Sequence, residues 1–350
     1  RKYYLHKSDL MTPKCSGDFE NICSKLKIPV NLPNLDLLKK LPKLIHDKDN
    51  NGLTFTIWKK TIIDIEPSDT SNQLYGFAID LGTTSVVAYL YDLITGKKIG
   101  VYSSLNGQIS EGADVISRIV ACINKRDGLD ILQNKVIKTI NELIDSAIKE
   151  NKIDKDSIYE IAICGNSTMQ HLFLGIYPEY LGMSPFTSVI QRDVSIKAKE
   201  LNLDINPNGI INFLPLIGGF VGADTTAILL SLLTEKTSKL RLIIDLGTNG
   251  EIAVGNNDKY MAASTAAGPA LEGAGIHYGM RGTTGAIEKV KIIDGKINLK
   301  VIGNQIPVGI CGSGLIDAIA EMLRVGIINY RGKMLTKEEY IEKCTPNNKP

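Results

Sequence analysis

The chain has 350 residues, enough for two or three domains and a sizeable buried core. Hydrophobic residues make up 43% and charged residues 22%, and a net charge of only +2 with both signs interspersed gives no electrostatic case for nucleic acid or an anionic membrane surface. The longest apolar stretches, such as residues 227–233, fall far short of a bilayer span, so neither partner is expected.

Arg1 rather than Met opens the sequence and no secretory signal follows it, which reads as a fragment or a processed start. The six cysteines (Cys15, Cys23, Cys122, Cys164, Cys311, Cys344) are scattered, with no C-x-x-C and no His at ligand spacing. Small buried thiols in a reducing cytosol are the expectation, and a cytoplasmic location with them, rather than a metal or iron–sulfur site.

Residues 1–73 read as a small linker domain. Pro13, Pro29, Pro33, Pro42 and Pro67 punctuate it, a short helix is predicted over 35–41, and a β-branched run over 53–65 follows the turn signal Asp49-Asn50-Asn51-Gly52. From residue 75 the pattern is orderly: a strand over 75–79, a tight turn over 80–84, a strand over 85–92 and another over 97–103. Two helices come next. The first, 113–123, places Val115, Ile116, Ile119, Val120 and Ile123 on one face; the second, 131–148, aligns Leu132, Val136, Ile140, Leu143 and Ala147. A buried strand over 158–164 leads into a short helix over 167–174 capped by Asn166 or Ser167. A strand over 210–214 and a small-and-apolar helix over 222–233 complete this stretch.

Then the opening motif returns, as a strand over 240–244, a turn over 245–250 and strands over 251–255 and 259–263. Asp245 stands 165 residues after Asp80, and self-similarity at that spacing implies two copies of one unit, over 74–236 and 237–350. Strands and helices alternate, so the class is α/β.

Both copies put an Asp at the end of an apolar strand, then Gly and hydroxyl or amide residues in a turn: Asp80-Leu81-Gly82-Thr83-Thr84 and Asp245-Leu246-Gly247-Thr248-Asn249-Gly250. Gly lets a backbone approach an anion closely, successive turn N–H groups form an anion-binding nest, and Thr or Asn side chains add donors. A carboxylate beside phosphate is repelled unless a cation intervenes, so Asp80 implies Mg²⁺. Asp245 either orients or deprotonates an attacking water or shares the metal. One such turn is also what an ordinary hairpin carries; the pair points to phosphate.

Other small-residue loops remain open between two readings. Gly165-Asn166-Ser167-Thr168-Met169-Gln170-His171 is either a cleft floor or an N-cap followed by a surface or core His171. Asp224, in Gly222-Ala223-Asp224-Thr225, either reaches the metal or water or caps a helix N-terminus. The loops with Gly268 and Glu272, and with Gly309 to Leu315, either face a ligand or serve close helix–sheet packing.

Two Asp-x-Gly-Thr hairpins separated by helices resemble the superfamily of acetate and sugar kinases, heat-shock chaperones and actin. Within it, Asn106-Gly107-Gln108, Gly112-Ala113-Asp114-Val115-Ile116-Ser117-Arg118-Ile119, the block from Gly165 to Leu172, Gly222-Ala223-Asp224-Thr225 and Gly268-Pro269-Ala270-Leu271-Glu272-Gly273 together resemble the ATP-dependent reductive activators of corrinoid proteins. The resemblance implies an actin-like ATPase with duplicated ribonuclease-H-like lobes behind a linker domain. It also implies ATP and Mg²⁺ as cofactors, a corrinoid protein as partner and a homodimer. Its implied work is to drive an electron from an N-terminal [2Fe-2S] domain onto cobalt(II), giving cobalt(I) for a methyltransferase.

Three departures accompany it. No ferredoxin-like cysteine cluster is present, no Gly-Gly adenosine loop follows Asp245 (so the second lobe reads as incomplete), and Gly107 stands where the family usually has Pro. The competing readings are a carbohydrate kinase, for which no sugar-binding carboxylate cluster is legible, and a non-catalytic actin-like scaffold.

Overall fold

The computed structural model describes residues 1–11, 16–235, 237–247, 249–266, 276–280 and 282–344. The chain forms two compact units, residues 1–235 and 236–350, each described by itself.

The first unit opens with β1 (Lys2–His6), α1 (Lys7–Leu10), α2 (Asp18–Leu26), α3 (Leu35–His46), β2 (Gly52–Trp58) and β3 (Thr61–Pro67), the strands pairing antiparallel in the order β1-β2-β3. The run over 53–65 is thus a hairpin, turning at Lys59 and Lys60, both with positive φ as a two-residue turn requires. Helix α3 runs on through Pro42, past the expected stop at Leu41. Proline there removes a helical hydrogen bond, but Leu37, Leu41 and Ile45 make a stripe at i, i+4 and i+8 that buries against Phe55 and Ile65. That burial outweighs the break.

Next come β4 (Tyr75–Leu81), β5 (Ser85–Asp92), β6 (Lys98–Leu105), α4 (Val115–Asn124), α5 (Gly128–Asn151), β7 (Ile158–Gly165), α6 (Ser167–Leu174), β8 (Val194–Lys197), β9 (Ile210–Phe213) and α7 (Ala223–Leu232). One six-stranded sheet runs β6-β5-β4-β7-β9-β8. β4, β5 and β6 form an antiparallel meander, and β7 and β9 lie parallel to β4. That order is the ribonuclease-H-like one. Phe77, Ile79 and Leu81 of β4 pack with Leu132, Val136, Ile140 and Leu143 of α5, the stripe its periodicity predicts.

Helix α4 keeps only part of its expected face: Ile119 buries and Val115 packs against the core as read. Ile116, Val120 and Ile123 are exposed, whereas Arg118, Ile119 and Cys122 are buried. The helix is turned so that the Arg118 guanidinium meets loop acceptors described below. The linker strands join the sheet through Ile63, Leu74, Tyr159 and Ile210. There the Asp64 carboxylate accepts hydrogen bonds from Tyr159 Oη (2.7 Å), Asn206 Nδ2 (2.9 Å) and Asn208 Nδ2 (3.3 Å).

The second unit contains β10 (Arg241–Leu246), β11 (Asn249–Gly255) and β12 (Tyr260–Ala266) as an antiparallel meander. It also holds β13 (Ala286–Ile293), β14 (Lys296–Val301), β15 (Gly309–Ile310), α8 (Gly312–Arg324) and α9 (Lys337–Cys344), with a second small sheet ordered β14-β13-β15. The turn expected over 245–250 is shorter, because Asn249 and Gly250 stand in the ladder of β11. Among the described residues no helix is long and apolar enough to cross a membrane.

Candidate functional site

The carboxyl ends of parallel strands are where open α/β sheets place ligands, because the loops there diverge from one rigid edge. Asp80 stands at that end of β4, exposed, in register with Val87 on β5 and Cys164 on β7. Side chains directly opposite across a parallel pair share a face. Burial first, and then the charges of Asp80 and Asp224, push the Cys164 thiol up to about 12. Both carboxylates thus act electrostatically on the one thiol at the end of β7.

The loop after Asp80 is built tightly. A Cβ on Gly82 would stand 2.6 Å from Ser85 O, so only glycine fits the turn. Thr83 is buried, and its hydroxyl accepts from Asn166 Nδ2 at 2.9 Å. Asn166 serves twice, because its Oδ1 accepts from Met169 N at 3.0 Å and caps α6. Its block is thus a cap that also grips the phosphate-loop candidate. His171 is the core histidine of the blander reading: Nδ1 donates to Ser167 O (2.8 Å) and Nε2 accepts from Val189 N (3.1 Å). Burial lowers its pKa, so the neutral ring keeps both bonds.

Helix α7 starts at Gly222, whose added Cβ would lie 2.5 Å from Asn166 Cα. Asp224 sits in the first turn and accepts from Thr225 N at 2.7 Å. The close Gly222–Asn166 approach is what delivers Asp224 to the edge where β4 and β7 end.

Around the loop lies a buried set that the periodicity reading missed. Asn106 Nδ2 donates to Gly82 O (2.9 Å) and its backbone N to Thr84 O (3.0 Å). Arg118, fully buried, donates from Nη2 to Thr83 O and from Nη1 to Gln108 Oε1 at 3.0 Å. Counting apolar residues cannot reveal such a residue. The only sequence signal was its place in the Gly112-to-Ile119 block.

In the second unit Asp245 ends β10 half-buried, and burial raises its carboxyl above the usual range. A raised carboxylate is a better proton acceptor. Directly opposite it across the ladder is Glu251, itself buried and accepting from Ser264 Oγ at 3.1 Å. Glu251 also escaped the sequence reading, because the hairpin here is one residue shorter than at Asp80, where Val87 is the opposite residue. Gly247 forms the turn, its N–H bonded to Asn249 O at 3.0 Å. Thr248, Gly268 and Glu272 lie outside the described residues, while Asp80 and Asp245 belong to different units.

Mg²⁺ takes one or two carboxylates together with phosphate oxygens and water. Asp80 and Asp224, both acting on Cys164, supply hard-oxygen groups of the kind such an ion takes. Among the described residues no group of three or more His, Cys, Asp or Glu side chains forms a ready-made metal cage.

Comparison with known proteins bears on all of this. Residues 1–72 match the RACo linker region, 75–236 the RACo middle region, and 239–349 the C-terminal domain of RACo, the ASKHA domain. The chain is 47% identical over 334 residues to the corrinoid activation enzyme RamQ of Eubacterium limosum, covering 95% of this chain and 56% of that protein. It is 27% identical over 288 residues to the [Co(II) methylated amine-specific corrinoid protein] reductase of Methanosarcina barkeri, covering 73% and 52%. A solved structure, the reductive activator for corrinoid,iron-sulfur protein, superposes with a TM-score of 0.87 at 36% identity, covering 97% of this chain and 56% of that one. The chain thus spans about half the length of the relatives it matches, and its fold is the actin-like α/β one.

Proposed function

Since the chain belongs to the RACo family of reductive activators of corrinoid proteins, we propose that it binds and hydrolyses ATP to drive reduction of cobalt(II) to cobalt(I) in a corrinoid protein of a methyltransferase system. In this reading 1–73 is the linker, and 74–236 and 237–350 are the two lobes of the ATPase. The observation that carries it is the edge at β4 and β7, where Asp80 and Asp224 both act on Cys164 beside a tight, hydroxyl-bearing loop.

Asp80 takes the metal-binding role, with Asp224 beside it. Bound Mg²⁺ would neutralise phosphate charge and orient the terminal phosphoryl group. Asp245, its carboxyl raised by burial, orients the attacking water or accepts its proton. Gly82, Thr83 and Thr84 on one hairpin and Gly247, Thr248, Asn249 and Gly250 on the other line the phosphates, with Gly268 and Glu272 toward the nucleotide. Coupling follows if the two nucleotide states favour different lobe arrangements and the corrinoid partner binds one of them better. The electron would arrive through a [2Fe-2S] centre, which this chain's cysteines are not spaced to hold. A cytoplasmic homodimer is the proposed working form.

At natural full length, Asp80→Ala and Asp245→Ala should each abolish ATP hydrolysis, with circular dichroism unchanged. Unaltered turnover in both would sink the site assignment. Turnover stimulated by sugars, and not by a cobalt(II) corrinoid protein, would move the chain to the carbohydrate kinases.

A further inference from the structure

Arg118 is fully buried, yet among the described residues every group it hydrogen-bonds is neutral. Nε donates to Gly112 O (2.9 Å), Nη1 to Gln108 Oε1 (3.0 Å) and Met169 Sδ (3.2 Å), and Nη2 to Thr83 O. Burial lowers its pKa to about 10, which leaves it charged at neutral pH. Among the described residues no carboxylate hydrogen-bonds it, and Asp114 acts on it only through its charge; a buried cation held this way is expensive, and an apolar side chain would pack the same space at less cost. The charge therefore has a use other than packing.

Its neighbour suggests the use. Asn106, also fully buried, holds Gly82 O through Nδ2 and Thr84 O through its backbone N, while its Oδ1 accepts from Gln108 N at 3.0 Å. Three successive carbonyls of the loop, those of Gly82, Thr83 and Thr84, are thus tied to Asn106 and Arg118. Among the described residues the only cis peptide is Ser184-Pro185, so these three are trans. In a trans peptide the C=O and the next N–H point in opposite directions. Pulling the carbonyls onto the clamp turns the amides of Thr83, Thr84 and Ser85 away from it. Successive amides facing one way are what an anion nest consists of.

We infer that Asn106 and Arg118 are positioning residues that turn the Thr83, Thr84 and Ser85 amides toward the nucleotide's phosphates, with the buried Arg118 charge standing behind them. The inference rests on the nucleotide reading above. Neither side chain touches substrate in this arrangement; each acts through the loop. Lysine at 118 would keep the charge but has one ammonium where a planar fork spans Thr83, Gln108 and Gly112.

The test uses the full-length protein with MgADP and MgATP as probes. Arg118→Met should raise the Kd for MgADP and the KM for ATP by about 10- to 100-fold, the range expected when charge-assisted hydrogen bonds are lost. Its kcat should change far less, because the nest holds ground state and transition state alike. Arg118→Lys should recover part of the affinity. In the wild type, MgADP should slow hydrogen exchange at the Thr83, Thr84 and Ser85 amides, a measurement that needs no variant to fold. Folded variants with wild-type Kd and KM, or no slowing at those amides, would overturn the clamp. If the wild type binds MgADP in an Asp80-dependent way while the Arg118 variants match it, the clamp alone falls. If the wild type binds no MgADP, the nucleotide reading falls and the clamp with it.

Discussion

Gly222→Ala would drive a methyl group into the junction between β7 and α7. The new Cβ would stand 2.5 Å from Asn166 Cα and 2.8 Å from Gly165 O, both main-chain atoms that no rotamer change can move. Gly222 has φ −83°, which any residue adopts, so the effect is one of contact alone. Ordinary contact begins at 3.4 Å, and the two segments must part by about 1 Å to reach it. Overpacking of this kind costs about 1–3 kcal/mol. In a unit of this size, that lowers Tm by about 2–10 °C. The same shift moves Asp224 from the end of β7 and loosens the Asn166 grip on Thr83. A displacement of that size at a reacting centre can cost about 10²-fold in rate. Calorimetry and steady-state ATP hydrolysis read the two effects separately. A variant with unchanged Tm and turnover within twofold of wild type would refute the claim that this close approach positions the acid.

Gln170 is fully buried, and among the described residues neither its amide nitrogen nor its oxygen has a hydrogen-bond partner. Gln170→Met keeps the length and removes the unmet polar atoms, and should stabilise the unit by about 1–3 kcal/mol in urea unfolding; destabilisation would mean the amide has a partner. Asp245, raised by burial from the ordinary 3.8, holds its proton more tightly in the folded chain than in the unfolded one. That contribution is complete below the unfolded value and is lost as pH rises through the folded one. Asp245→Asn should therefore gain in Tm over wild type as pH rises from below the ordinary 3.8 through the raised folded value, and the gain should level off above it. A difference that stays constant with pH would contradict the assignment.

The hairpins were legible because their signals are local: an apolar strand, an acid, a glycine and hydroxyls, with Asp80 and Asp245 falling where the pattern places them. The α5 stripe was legible for the same reason, since Leu132, Val136, Ile140 and Leu143 repeat at helical spacing and all bury. What escaped was set by distant chain. Arg118 buries because acceptors on Thr83, Gln108 and Gly112 surround it, and the neighbouring Ile116 and Val120 are left outside. No periodicity encodes that exchange. Glu251 became visible only when the register placed it opposite Asp245. The extension of α3 past Pro42 depended on Ile45 finding the hairpin beneath it.

The account turns on one nucleotide being held by both acid-tipped hairpins. The most direct measurement is a crystal structure of the full-length protein with MgADP and a trigonal mimic of the transferring phosphoryl group. The prediction is a metal bound by the Asp80 carboxylate, directly at about 2.1 Å or through water, with Asp245 facing the mimic from the other lobe. A nucleotide held by one hairpin alone, with the second carboxylate turned to a remote surface, would contradict it.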